Sequence, residues 1–222
     1  MWIRILKFIV GILLIPFCFG ISISFYYTIS KISLHSTEEL IFLWGVVLYI
    51  VMHIFIFKPQ RIYIFGHEIV HVLFSWLSGG KIKKIKVSDK QGEVKTDKIN
   101  FFVLISPYVF PIYPLIISLL FFIFNASYKL SSLYLEIFLF LLGFSLSMHI
   151  LMTAETLRKI QPDLVKAGYL FSIVFIYLSN ICLIAFILSR IFYSFSFSDF
   201  LNLSWEITQK IFSRIFTQLF SI

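Results

Sequence analysis

Five apolar runs, each near the length a helix needs to cross a bilayer, constrain this chain more than any other feature. They lie near 6–29, 39–57, 100–124, 132–156 and 168–193, and about 20 apolar residues suffice for one helical crossing. A sixth run, near 62–80, is shorter and carries His67, Glu68 and His71. Hydrocarbon offers no partner to a backbone amide, so segments of this kind satisfy their own amides as helices. The expected fold class is an all-α polytopic membrane protein with five or six transmembrane helices. Composition excludes the soluble alternative. Of 222 residues, 59% are hydrophobic and 14% charged, against about 25% charged in an ordinary soluble domain.

The first run opens on Arg4 and Lys7 but is long and ends without a small-x-small cleavage site, so it reads as a retained span. Residues 1–193 are expected to form one membrane-embedded domain, and 194–222 an amphipathic helix. In that tail Phe200, Leu203, Ile207, Ile211, Ile215 and Phe216 recur at helical spacing, while Glu206, Lys210 and Arg214 form a second stripe.

The net charge of +8 matters less than where it lies. Lys81, Lys83, Lys84, Lys86, Lys90, Lys95 and Lys98 crowd one connection. Lysines beside membrane spans argue for a cytoplasmic loop, here 81–99, and only weakly for nucleic acid. Arg158, Lys159 and Lys166 form the next basic cluster, two spans later, and the connection between carries only Lys129. Both clusters then fall on one side of what is expected to be the cell membrane. The partners implied are a lipid bilayer and no nucleic acid.

Punctuation places the sixth run. Proline disfavours helix at the residue before it, so Lys58-Pro59 is a boundary. Gly79-Gly80 has the form of a C-terminal helix cap. Beyond it, Ile85 and Val87 alternate with Lys84, Lys86 and Ser88, and Val94 and Thr96 with Lys95 and Asp97. That period of two predicts a short β-hairpin turning at Asp89-Lys90-Gln91-Gly92. Pro107, Pro111 and Pro114 predict a kinked or broken helix in the next run. Irregular backbone at membrane depth is tolerated only against protein or a water-filled cavity, which puts the break beside something polar.

His67-Glu68-Ile69-Val70-His71 is an H-E-x-x-H sequence. On a helix the two imidazoles stand one turn apart on one face and can share a metal, while Glu68 projects about 100° away and remains a base. Imidazole suits zinc, and a catalytic zinc site takes three protein ligands with the fourth position left to water. The bland reading is a pair of core histidines bonded to neighbouring helices. Ionisable groups in an apolar helix are expensive to bury and are functional by default, which favours the metal.

With Gly66-His67-Glu68-Ile69-Val70-His71 in an apolar helix, the Gly79-Gly80 break and a basic hairpin directly after it, the chain resembles the site-2 protease family of intramembrane zinc metallopeptidases. The resemblance covers about 62–180. It implies an intramembrane zinc metalloprotease that cleaves membrane-spanning or membrane-proximal peptides, with His67 and His71 as zinc ligands and Glu68 activating a zinc-bound water. It also suggests that the hairpin lends an edge strand to an unwound substrate. The family's third ligand, an aspartate in an Asn-x-x-Pro-x-x-x-Asp-Gly pattern, carries over to Asp163 within Gln161-Pro162-Asp163. The upstream Asn and following Gly are absent here, and a helix cap is the alternative role. Of the other aspartates, Asp89 and Asp97 belong to the hairpin and Asp199 to the tail.

His149, between Met148 and Ile150, could hydrogen-bond a neighbouring helix, ligate the metal or donate to the oxyanion; His35 and His53 receive no role. Two other readings of the motif are a metal-ion transporter and a non-catalytic metal-binding membrane protein. The first should show several ligand clusters along a path, and the second should lack Glu68.

Overall fold

The computed structural model describes residues 2–88, 91–128 and 130–220. Asp89 and Lys90 of the expected turn, and Lys129, lie outside them. The order of elements is α1 (Trp2–Ile29), α2 (Thr37–Val51), a π-helical turn (Met52–Ile56), α3 (Gln60–Leu77), β1 (Ile82–Val87), β2 (Gly92–Thr96), α4 (Phe101–Val109), α5 (Ile112–Tyr128), α6 (Ser132–Leu157), α7 (Pro162–Ala167), α8 (Tyr169–Ile191) and α9 (Phe197–Phe220).

Among the described residues, four helical segments are long and apolar enough to cross a membrane: Trp2–Ile29, Thr37–Ile56, Ser132–Leu157 and Tyr169–Ile191. A fifth forms if α4 and α5 count as one broken span, bent by 72°. These match the five runs read from the sequence. The break falls at Phe110 and Pro111, where prolines were expected to interrupt the helix. Helix α3 is not among the long apolar spans. It buries the face that holds Tyr63, Gly66, Glu68, Val70 and His71.

Contacts divide the chain into two compact units, the first made by α1, α8 and α9 and the second by Ser36 to Ala167. In the first, α1 packs against both α8 and α9. The Ser24 hydroxyl donates to the Phe200 carbonyl at 2.7 Å, and the Phe25 ring meets the Phe200 ring edge-on. The tail is a helix with Phe200 buried and Glu206, Lys210 and Arg214 exposed, and Ile215 and Phe216 of its apolar stripe are exposed as well.

In the second unit, α6 is the most buried span, with 61% of its apolar window inside the protein against 22–28% for the other long spans. Helix α2 starts from a capping box, Ser36 Oγ accepting from the Glu39 amide at 3.2 Å and Glu39 Oε2 accepting from the Ser36 amide at 3.1 Å. It then lies along α6 at a glycine contact. A Cβ at Gly45 would overlap the Phe140 carbonyl, and one at Gly143 the Phe42 carbonyl. Without a hydrophobic drive between helices in lipid, small residues of this kind let backbones approach and dispersion hold them. Tyr49, Tyr63, Met148 and Met152 form a buried cluster beside this contact.

Helix α3 ends at Ser78, and Gly79 takes a left-handed φ of 74° that glycine adopts without strain. The Gly79 amide donates to Trp76 and the Gly80 amide to Ser75, both at 2.8 Å, closing the carboxyl end of the helix. The hairpin follows directly. Its strands are antiparallel, with Ile85 opposite Val94, Lys86 opposite Glu93 and Val87 opposite Gly92, and with an irregularity between Ile82 and Lys84. Ser75 Oγ and Thr96 Oγ1, 2.5 Å apart, pin β2 to α3, and Asp97 Oδ1 accepts from the Lys81 amide at 2.7 Å. The Lys81 amide, with Lys83 and Lys98 nearby, holds the Asp97 carboxyl below the usual carboxylate range.

Candidate metal centre and active site

Three segments meet around His67 and His71. Helix α3 supplies both rings, α4 covers them, and α7 brings Asp163 in its first turn. His67, His71 and Asp163 each offer a ligand atom, and these atoms lie within 4.8 Å of one another. The two imidazole centroids are 4.9 Å apart, as one helical turn requires.

How His71 is held follows from the sequence. Pro107 has no amide hydrogen, so the carbonyl four residues earlier, Val103, loses its helical donor. His71 Nδ1 donates to that carbonyl at 2.7 Å instead. A carbonyl can only accept, so the ring carries its proton on Nδ1 and turns Nε2 towards Asp163 Oδ2, 3.5 Å away. A neutral ring then sets two electron-rich atoms facing each other, and a shared cation or proton reconciles them. His67 agrees with this picture, since its Nδ1 is buried without a hydrogen bond. Tyr108, buried itself, meets the His67 ring edge-on at 4.9 Å and Tyr63 lies 5.9 Å from it, so packing fixes the orientation of the ring. Two imidazoles and one carboxylate, one ring oriented by an outer hydrogen bond, are a donor set that fits zinc.

Asp163 has the charge such a site needs. Burial pushes its carboxyl up, but the hydrogen bond to His71, the neighbouring imidazoles and Lys166 hold it below the usual carboxylate range.

Glu68 lies on the same helix, 6% exposed, and lines a cleft of about 1020 Å³ together with His67, His71 and Asp163. The hairpin forms another wall. Gly92 at the start of β2 rests on Glu68 so closely that a Cβ there would overlap the carboxylate. The sequence marks Gly92 as a turn residue; the structure gives it a second reason to be glycine.

His149 is elsewhere. It borders a separate small cavity with Tyr63, Gly66, His67 and Met148, and it is not among the residues that line the cleft.

Sequence reasoning missed several parts of this neighbourhood. His53, given no role, is buried with Nδ1 3.1 Å from the Tyr49 hydroxyl and Nε2 3.3 Å from Glu155, which also pairs with Lys58. Tyr63 reaches Thr153 at 3.2 Å across α3 and α6. Only Tyr49 and His53 are close in sequence, one helical turn apart; the partners Glu155 and Thr153 lie 90 or more residues away. The Val103 carbonyl did have a signal, because a proline four residues downstream always frees a helical acceptor.

The family model for Peptidase M50B-like proteins matches residues 40–158, more than half of the chain. The match takes in α2, α3, the hairpin, the broken span and α6. No curated protein and no solved structure matches the chain.

Proposed function

The chain belongs to the M50B-like peptidases, a site-2 protease family of membrane metalloproteases, and from that premise we propose that it is an intramembrane zinc metalloprotease. The observation that carries the reading is the His67, His71 and Asp163 cluster, which lines one cleft together with Glu68. Among the described residues this is the one group of three that could hold a metal, which favours a fixed site over a transport path.

His67, His71 and Asp163 would hold the ion, which when bound supplies Lewis acidity to the scissile carbonyl and acidifies a water. Glu68 takes the proton of the attacking water and returns it to the leaving amine. Val103 keeps His71 in the tautomer that leaves Nε2 available. His149 borders the cavity beside His67, so we assign it to positioning that ring and not to the oxyanion. A substrate helix shields its carbonyls with internal hydrogen bonds and must unwind before attack; an edge of the hairpin can receive the extended segment. The substrates are membrane-spanning or membrane-proximal peptides.

Two measurements on purified full-length protein test this. Zinc content should be near stoichiometric in wild type and Glu68→Gln, and should fall in His67→Ala, His71→Ala and Asp163→Ala. Cleavage of a transmembrane peptide should drop roughly 10²–10⁴-fold in Glu68→Gln, the range general-base removal produces. A fully active Glu68→Gln variant, or zinc retained without either histidine, would sink the reading.

A further inference from the structure

The cleft is not electrically neutral around its rim. Lys83 on β1 lines one wall, and Arg158, Lys159 and Lys166, at the end of α6 and on α7, line another. All four are exposed, and among the described residues none of them forms a salt bridge. The acids of the cleft are already engaged. Glu93 pairs with Lys95 at 3.4 Å, Glu155 with His53 and Lys58, and Glu68 and Asp163 belong to the metal centre.

Attraction to a membrane surface does not account for this subset. Lys81, Lys84, Lys86 and Lys98 are exposed on or beside the hairpin without lining the cleft, and they suffice for a basic membrane-facing loop. Lys83 is separated from the other three by more than 70 residues of chain, yet all four converge on one cavity. Among the described residues only Lys83, near Asp97, and Lys166, near Asp163, have a carboxylate within electrostatic reach, and none of the four is in a salt bridge; converging cations of this kind fit an anionic occupant.

We infer that the cleft selects peptides bearing carboxylates, Asp or Glu side chains just outside the membrane-spanning part that is cut. This rests on the proteolytic reading and specifies its substrate class. Lys83 engages such a segment from the hairpin side and Arg158, Lys159 and Lys166 from the helix side, which fixes the register in which the unwound peptide passes Glu68.

The test uses full-length Glu68→Gln protein in nonionic detergent, so that binding is measured without turnover, with cleavage by wild type followed in parallel. The probes are two synthetic peptides with the same apolar span, one flanked by Asp-Glu-Asp and the other by Asn-Gln-Asn. The acidic peptide should bind about tenfold more tightly at low salt, a gap within reach of a few partly exposed charge pairs, and the gap should close as salt is raised. The double substitution Arg158→Gln with Lys159→Gln should shrink the ratio towards one, and Lys83→Gln on the opposite wall should do so partly. Equal binding of the two peptides, or a ratio indifferent to both sets of substitutions, overturns the inference. So does a preference seen only in vesicles containing phosphatidylserine, which would make a lipid headgroup the partner. If wild type cleaves neither peptide while the acidic preference holds, the proteolytic reading fails and the acidic specificity stands. If both are cleaved and bound alike, the reverse is true.

Discussion

Pro107 shows how one residue without an amide hydrogen can orient the ring proposed as a metal ligand. The missing donor leaves the Val103 carbonyl free to accept from His71, and that bond decides which ring nitrogen faces Asp163. Pro107→Ala restores a competing amide, so the substitution should strengthen α4 while weakening the site. Outer hydrogen bonds to metal-ligating histidines are worth roughly 10–100-fold in metal affinity. Zinc affinity of Pro107→Ala, read by chelator competition, should therefore fall by about tenfold, and an unchanged affinity would detach Val103 from the site. At this scale the sequence is legible for His67, Glu68 and His71, because helical spacing alone brings the two histidines to one face. Asp163 needed the family resemblance, since 92 residues of chain separate it from His71 and no local pattern links them. His53 was unreadable for the same reason, its partner Glu155 lying on another helix.

Between elements, the hairpin depends on its anchors more than on its own ladder. A two-stranded ribbon alone is marginal in water; here Ser75 to Thr96 holds it to α3, and Asp97 to Lys81 closes its base. Ser75→Ala should cost about 1 kcal/mol, the typical worth of one hydrogen bond, and show as faster amide exchange throughout β1 and β2. Asp97 adds a pH dependence of definite sign. Its folded carboxyl titrates below the ordinary value, so its support is present above that ordinary value and is lost as pH falls through the folded one. Protection of the Lys81 amide, its exchange relative to the intrinsic rate at the same pH, should fall on acidification in wild type and lose that dependence in Asp97→Asn. The strands themselves were plain from period-two alternation. The π-helical turn at Met52–Ile56 was not, because apart from His53 the run is apolar there and gives no periodicity to interrupt.

At the scale of the molecule, the four long apolar helices follow from run length, and the bend between α4 and α5, which together can make a fifth span, from proline. The division into two units could not be read. It depends on which helices pack together, and uniformly apolar spans carry little pattern to say so. What records one such pairing is glycine. Gly45 and Gly143 face carbonyls of the partner helix, so Gly45→Leu should force α2 from α6 and destabilise the protein by about 1–3 kcal/mol, the usual effect of overpacking. Thermal unfolding in detergent would report it as a lowered midpoint; an unaltered midpoint would mean the helices part there freely.

The seat of Gly92 on Glu68 ties the strand to the helix. A side chain at that position would overlap the carboxylate, so any residue but glycine there must push the start of β2 away from α3. Under the proteolytic reading proposed above, a bulkier residue at Gly92 would therefore disturb the base without touching a metal ligand.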